Sequence, residues 1–210
     1  MNRGLVGGLA WLSIVQYFVV EELVRQGWSL PYSRQSNYIS DLGAVGCGTY
    51  EGRTVCSPDH VWMNVSFALV GVAIMIGAVL ARSGARSPLT PLVVGLYVAA
   101  GAGSVLVGLF PEDTNGALHG LGAALFFLAA SLGHILLGLR LRRTTAGSAY
   151  GTALAIVGVI GLVGTVLLGS ATDLGFGAGL VERVVVYGAD LGFIATGLLM
   201  IRGRDPTARD

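Results

Sequence analysis

Residues 117–141 read ALHGLGAALFFLAASLGHILLGLRL, a run of 25 residues with no carboxylate and one arginine, Arg140, beside its end. A bilayer's hydrocarbon core is crossed by about 20 apolar residues in helical form. A membrane barrel strand would instead alternate apolar and polar residues over about ten positions. Leu, Ala, Gly and Phe follow one another here without alternation, so the stretch predicts a transmembrane helix over Ala117–Leu141.

Five further stretches have the same character: Leu5–Val24, His60–Ala81, Leu89–Phe110, Tyr150–Gly169 and Glu182–Ile201. The expectation is an all-α, polytopic membrane protein, a six-transmembrane-helix bundle forming one integral domain over residues 1–210. Composition agrees: 53% of residues are hydrophobic and 12% charged, where a soluble domain carries about 25% charged residues. Mean hydropathy is +0.72. A soluble globular fold and a disordered chain are excluded, and a net charge of +1 points to no nucleic acid. The 33 glycines suit helices that approach closely in lipid. The opening segment lacks a small-residue cleavage site and reads as a retained helix rather than a signal peptide.

Arginine sets the orientation, since the chain has no lysine. With the N-terminus inside, Arg3, Arg82, Arg86, Arg140, Arg142, Arg143, Arg202, Arg204 and Arg209 fall on the cytoplasmic side, and Arg25, Arg34, Arg53 and Arg183 outside. Nine against four favours N-in, C-in. The two cysteines, Cys47 and Cys56, share the first outer loop, which reads as a disulfide in an oxidising compartment. Two free thiols or half of a metal site are the alternatives. His60 leading to Phe67 and Gly71, and His119 leading to Phe126 and Ala130 at the same offsets, suggest an old duplication of a helix pair.

In lipid the polar residues carry the information, and they gather toward the outer half. Ser13, Gln16, Tyr17 and Glu21 have helical spacing and are expected to form one inward stripe. Ser57-Pro58-Asp59 resembles a helix start, with Ser57 as cap. His60 and Asn64 lie one turn apart on the helix that follows. Glu112 and Asp113 precede another helix with His119 in its first turn, and Asp41 in the first loop can join them. No HxxxH or HxH pair is present, so a hydrogen-bonded polar layer is preferred over a metal site. His134 lies about 22 Å along the helix from His119 and reads as a satisfied interior histidine.

The sixth span holds Glu182, Arg183, Tyr187 and Asp190, with Arg183 expected to neutralise an anionic head group or to pair with Glu182. Arg183, Tyr187 and Asp190 share a face, and Asp190 lies about 10 Å deeper than Arg183. An ionisable side chain at that depth is a functional-site candidate; the structural alternative is an aspartate bonded to a neighbouring helix. Gly188 and Gly192 frame it in a spacing that lets another helix come near. A carboxyl removed from water keeps its proton more readily and then serves as a general acid.

The stretches Tyr38-Ile39-Ser40-Asp41-Leu42-Gly43, Pro58 to Asn64, Gly108-Leu109-Phe110-Pro111-Glu112-Asp113 with His119-Gly120, and Leu180-Val181-Glu182-Arg183 resemble family 998 of the domains of unknown function. That resemblance covers nearly the whole chain and implies a small six-helix protein of the bacterial inner membrane. It also implies that Asp41, Asn64, Asp113, His119 and Arg183 belong together at the outer face. The Cys47–Cys56 insertion departs from the family pattern. Lysine-free, Arg-, Gly- and Ala-rich usage resembles that of a high-GC actinobacterium.

The functional expectation is a membrane enzyme acting on a lipid or isoprenoid, by proton-initiated cyclisation of the terpene-cyclase kind or by hydrolysis. Asp190 is the expected acid and Glu21 its counterpart, with Asp41 and His119 also candidate catalytic groups. Tyr17, His60, Asn64, Asp113, Glu182, Arg183 and Tyr187 are expected to bind and orient the substrate. No Walker loop, GxGxxG turn, GxSxG elbow or facing histidine pair is present, so no cofactor is expected. A non-catalytic subunit binding membrane lipids or a partner protein, or a small transporter, is the competing reading.

Overall fold

A computed structural model describes residues 3–81, 90–143 and 148–202. Arg82, Arg86, Leu89, Arg204 and Arg209, used in the reading above, lie outside the described residues. Six helical segments are long and apolar enough to cross a membrane. The first, Arg3–Gln26, is built from α1 (Arg3–Leu12) and α2 (Val15–Gln26). The others are α3 (His60–Ala81), α4 (Pro91–Leu109), α5 (Gly116–Leu141), α6 (Ser148–Gly169) and α7 (Ala178–Ile201). The chain is a multi-pass membrane protein.

The helices pack in a ring that follows chain order, α3 on α4, α4 on α5, α5 on α6 and α6 on α7, and α7 returns to α1, which also meets α3. Small residues make this closeness possible. A methyl added at Gly103, Gly138 or Gly8 would strike a backbone carbonyl of the facing helix, that of Gly122, Gly151 or Gly197. Without a hydrophobic drive between helices in lipid, such backbone approach supplies the packing. In the interior, Trp11, Tyr97, His134 and Phe193 stack edge to face, and the Trp11 indole donates to the Ile74 carbonyl at 3.2 Å.

The first span departs from the expected continuous helix. At Ser13–Ile14 the backbone tightens, with Ile14 N donating to Trp11 O and Tyr17 N to Ile14 O. This shifts the helical phase. Ser13 turns outward and its hydroxyl bonds back to Ala10 O at 2.7 Å, while Ile14 is buried. The inward stripe is therefore Gln16, Tyr17 and Glu21 without Ser13; Gln16 accepts from Ser66 Oγ at 3.0 Å.

One end of the bundle is covered by the segment between α2 and α3. It contains a 3-10 turn, Ser40–Gly43, and a hairpin of β1 (Gly48–Tyr50) and β2 (Arg53–Val55) paired antiparallel, Thr49 facing Thr54. Glu51 and Gly52 both have positive φ, 45° and 78°, the two-residue turn whose twist suits a hairpin. The disulfide Cys47–Cys56 closes its open end. The hairpin is the one addition to the all-α expectation among the described residues. Ser57 is not a side-chain cap for α3: it is buried, and its hydroxyl donates to Leu42 O at 2.7 Å, tying the helix start to the 3-10 turn.

Candidate functional site

The second turn of α7 holds the cap onto the bundle. Arg183 is 3% exposed. Its Nη1 donates to the carbonyls of Arg34, Asn37 and Gly179 at 3.0, 2.7 and 2.9 Å, and its Nη2 to the Tyr32 hydroxyl. Burial pushes the Tyr32 hydroxyl well above its ordinary range, with the Arg183 guanidinium opposing. Arg183 Nε lies 3.3 Å from Glu21 Oε1, and Glu21 also accepts from the Tyr187 hydroxyl at 2.8 Å. The ion pair thus joins Arg183 to Glu21 and not to Glu182, because successive helical residues point in different directions. Glu182 instead receives the Ile39 amide and, at 2.9 Å, the Ser40 hydroxyl.

A second set of carboxylates shapes the cap itself. Asp41 is wholly buried and accepts from Asn37 Nδ2 and the Tyr38 amide, both at 3.0 Å. Arg53 of β2 reaches it at 3.0 Å and stands 3.6 Å from Glu112 Oε2, with its guanidinium 4.3 Å from the Tyr38 ring centre. Burial, and after it the adjacent Asp41, pushes the Glu112 carboxyl far above the usual carboxylate range, against the pull of Arg53. Burial lowers the affinity of the Arg53 guanidinium for its proton, but Asp41 and Glu112 outweigh it and raise that affinity above its ordinary value. Asp113 accepts the Val45 and Gly46 amides at 3.1 and 2.7 Å, and Asn64 donates to Gly43 O at 2.9 Å. His60 bonds the Ser57 carbonyl of its own helix start at 2.9 Å. Asp41, Asn64, Asp113 and His60 therefore serve the cap's own architecture. Among the described residues no three His, Cys, Asp or Glu side chains converge as a metal ion would need.

Beneath the cap lies a cavity walled by Phe67, Val70, Val107, Phe126, Phe127 and Val186, roofed by Ile39 and Ser40, and carrying Tyr17, Glu182 and Asp190. Its free volume is about 30 Å³. That is room for a water or two. Asp190 is 1% exposed, and neither of its oxygens has a hydrogen-bond partner among the described residues; the Tyr17 hydroxyl has none either. An ionised carboxylate with no donor in apolar surroundings would be uncompensated, so this geometry accommodates the neutral acid. Gly188 and Gly192 do admit neighbours, Val157 of α6 and the His134 ring of α5. His134 has both nitrogens bonded, to the Tyr97 hydroxyl and to Ala189 O at 3.0 Å each.

The family described as "Protein of unknown function (DUF998)" matches residues 5–199. The chain belongs to the DUF998 family. No curated protein and no solved structure matches it. In this DUF998 chain the Tyr38–Gly43, Gly108–Asp113 and Leu180–Arg183 stretches meet around the cap, as the bonds above record. Ser40 is the residue that sequence reasoning missed. It lines the cavity and bridges Glu182 to His119, whose Nε2 lies 3.1 Å from Ser40 Oγ. Arg53, which Asp41 and Glu112 share, is likewise absent from the sequence expectation for the site. The only sequence signal for Ser40 was its place beside Asp41; its partners are 142 and 79 residues away.

Proposed function

We propose that this DUF998 protein is an enzyme of the bacterial cytoplasmic membrane that takes a slender lipophilic substrate, a lipid or isoprenoid, beneath the cap and protonates it from Asp190. The observation that carries this reading is the unpartnered Asp190 carboxyl on the wall of an apolar cavity. A neutral carboxyl held dry is a competent proton donor at neutral pH, and aromatic walls suit the cationic carbon that protonation of an alkene creates. Isomerisation or cyclisation follows when the cation loses a proton from a neighbouring carbon to water in the cavity, which leaves Asp190 to be reprotonated. Glu21 and Arg183 form the frame that fixes α7 against α2, and Tyr17 offers a free hydroxyl to the bound molecule. The resting cavity is narrow, so entry requires Phe67, Phe126 or Phe127 to swing aside. The capped end is assigned to the extracytoplasmic side, in keeping with its disulfide and with Arg3, Arg140, Arg142, Arg143 and Arg202 lying at or beyond the opposite helix ends.

The test is carbon-bound deuterium. Protein in nanodiscs made from the producing organism's total lipid is incubated in D2O, and the lipids are analysed by mass spectrometry. Wild type is expected to introduce deuterium into an unsaturated lipid, and Asp190→Asn to lose this by about a hundredfold or more while remaining folded. Equal labelling by the two proteins sinks the proposal. A second reading, a non-catalytic lipid-binding subunit, draws support from the apolar groove between α6 and α7 lined by Ile160, Val163, Leu167, Leu180 and Val184. It predicts a lipid that co-purifies with wild type and no labelling.

A further inference from the structure

We infer that His119, Ser40 and Glu182 form a proton relay that supplies the cavity from the capped face. This rests on the reading of Asp190 as a proton donor, because a donor that has given its proton away must be recharged through an otherwise apolar wall.

His119 Nδ1 lies 2.9 Å from the Phe110 carbonyl, and a carbonyl can only accept, so Nδ1 carries a hydrogen. In the neutral ring Nε2 is then an acceptor, 3.1 Å from Ser40 Oγ. Ser40 Oγ is also 2.9 Å from Glu182 Oε1. The serine hydroxyl has one hydrogen and cannot donate to both neighbours. One of them must donate to it, either an imidazolium N–H or a neutral Glu182 O–H. The three groups therefore hold one proton beyond Ser40's own, and its two resting places are the two ends of the chain.

Transfer between those places is balanced. As imidazolium Nε2 gives its proton to Ser40 Oγ, Ser40 gives its original proton to Glu182 Oε1. Imidazolium and carboxylate become imidazole and carboxylic acid; the Glu182 O–H then turns from Ser40 into the cavity, the neutral ring swings off Ser40 to take its next proton at Nε2 from water, and rotation of the serine hydroxyl resets the wire. His119 is 7% exposed in the first turn of α5, and Glu182 lines the same cavity as Asp190. The carboxyls are eight residues apart on α7, about 12 Å along its axis. The unpartnered Tyr17 hydroxyl also lines that cavity, which has room for a water or two. Together these give the proton its remaining stepping points. Ser40 is not assigned as a nucleophile: its hydroxyl is held by Glu182, which also takes the neighbouring Ile39 amide. In this relay His119, Ser40 and Glu182 are positioning and conducting groups, and Asp190 is the group that protonates the substrate.

Infrared spectroscopy of the full-length protein in nanodiscs tests this. The carboxylic C=O band that Asp190→Asn removes is followed after a jump into D2O, since exchange of its O–H shifts the band. Ser40→Ala is expected to slow the exchange on the order of tenfold or more, and Ser40→Thr, which keeps a hydroxyl, to restore it. A purely structural Ser40 predicts the opposite sign, because losing two anchors loosens the roof and speeds exchange. Exchange in Ser40→Ala as fast as or faster than wild type overturns the relay and leaves the donor reading intact. Should Ser40→Ala not fold, His119→Gln, which still bonds the Phe110 carbonyl and cannot carry the proton onward, is judged by the same criterion. A wild type without any Asp190-dependent band overturns the donor reading, and the relay with it.

Discussion

Glu112 sits in the cap between Asp41 and Arg53, with Tyr50 and Glu182 as the other ionisable groups acting on or beside it. Burial and Asp41 raise its carboxyl above the ordinary value of 4.5, so the folded cap holds a proton that the unfolded chain has released. Stability is then complete below the usual carboxylate range and declines as pH rises above it toward the folded value. Glu112→Gln, which mimics the neutral form, is expected to remove that decline. The check is hydrogen exchange at the Leu42 and Ala44 amides, which donate to Ile39 O and Asp41 O. The wild-type to variant ratio of exchange rates should grow with pH, and a flat ratio contradicts a neutral Glu112. Arg183 shows the same scale from the cationic side. One planar fork satisfies three carbonyls, a phenol and a carboxylate, a set that a lysine's three hydrogens cannot cover.

Helix α7 is the most informative element, since its outer turn pins the cap, its middle carries Asp190 and Gly192 receives a ring. A methyl at position 192 would meet the His134 ring, itself fixed by two hydrogen bonds. Gly192→Ala is expected to cost about 1–3 kcal/mol through overpacking, seen as a lower thermal midpoint in detergent. At Gly188 the added carbon would lie 3.3 Å from a Val157 methyl, which can give, so Gly188→Ala should leave the midpoint nearly unchanged. Equal effects at the two sites remove this account of the interface. The elements were largely legible because 20-residue apolar runs have few other uses: His60–Ala81 is found with the expected bounds. The start of α7 was not. It begins at Ala178 and not Glu182, since Glu182 and Arg183 look like an interfacial boundary until their partners in the cap are known. The break at Ser13–Ile14 was hidden for a related reason, as neither proline nor glycine marks it.

At the scale of the whole molecule the buried charge is polarised, with Glu21, Asp41, Glu112, Glu182 and Arg183 at or near the capped end and Asp190 deeper. Sequence could say that such residues cluster at one depth. It could not say that Asp41 and Glu112 share Arg53, or that Ser40 joins His119 to Glu182, because those pairings arise only when the ring of helices closes. The assigned orientation is checked in intact cells. A membrane-impermeant reductant followed by an impermeant maleimide should label Cys47 and Cys56, with no labelling when the reductant is omitted. Labelling that requires permeabilised cells reverses the topology. The anchoring of the first loop by α7 has a consequence for biosynthesis. Residues 32–40 leave the ribosome more than a hundred residues before Arg183 and Glu182, the side chains that fasten them. During insertion the roof must therefore wait, open, until the span bearing those two residues threads into the bilayer and latches it shut.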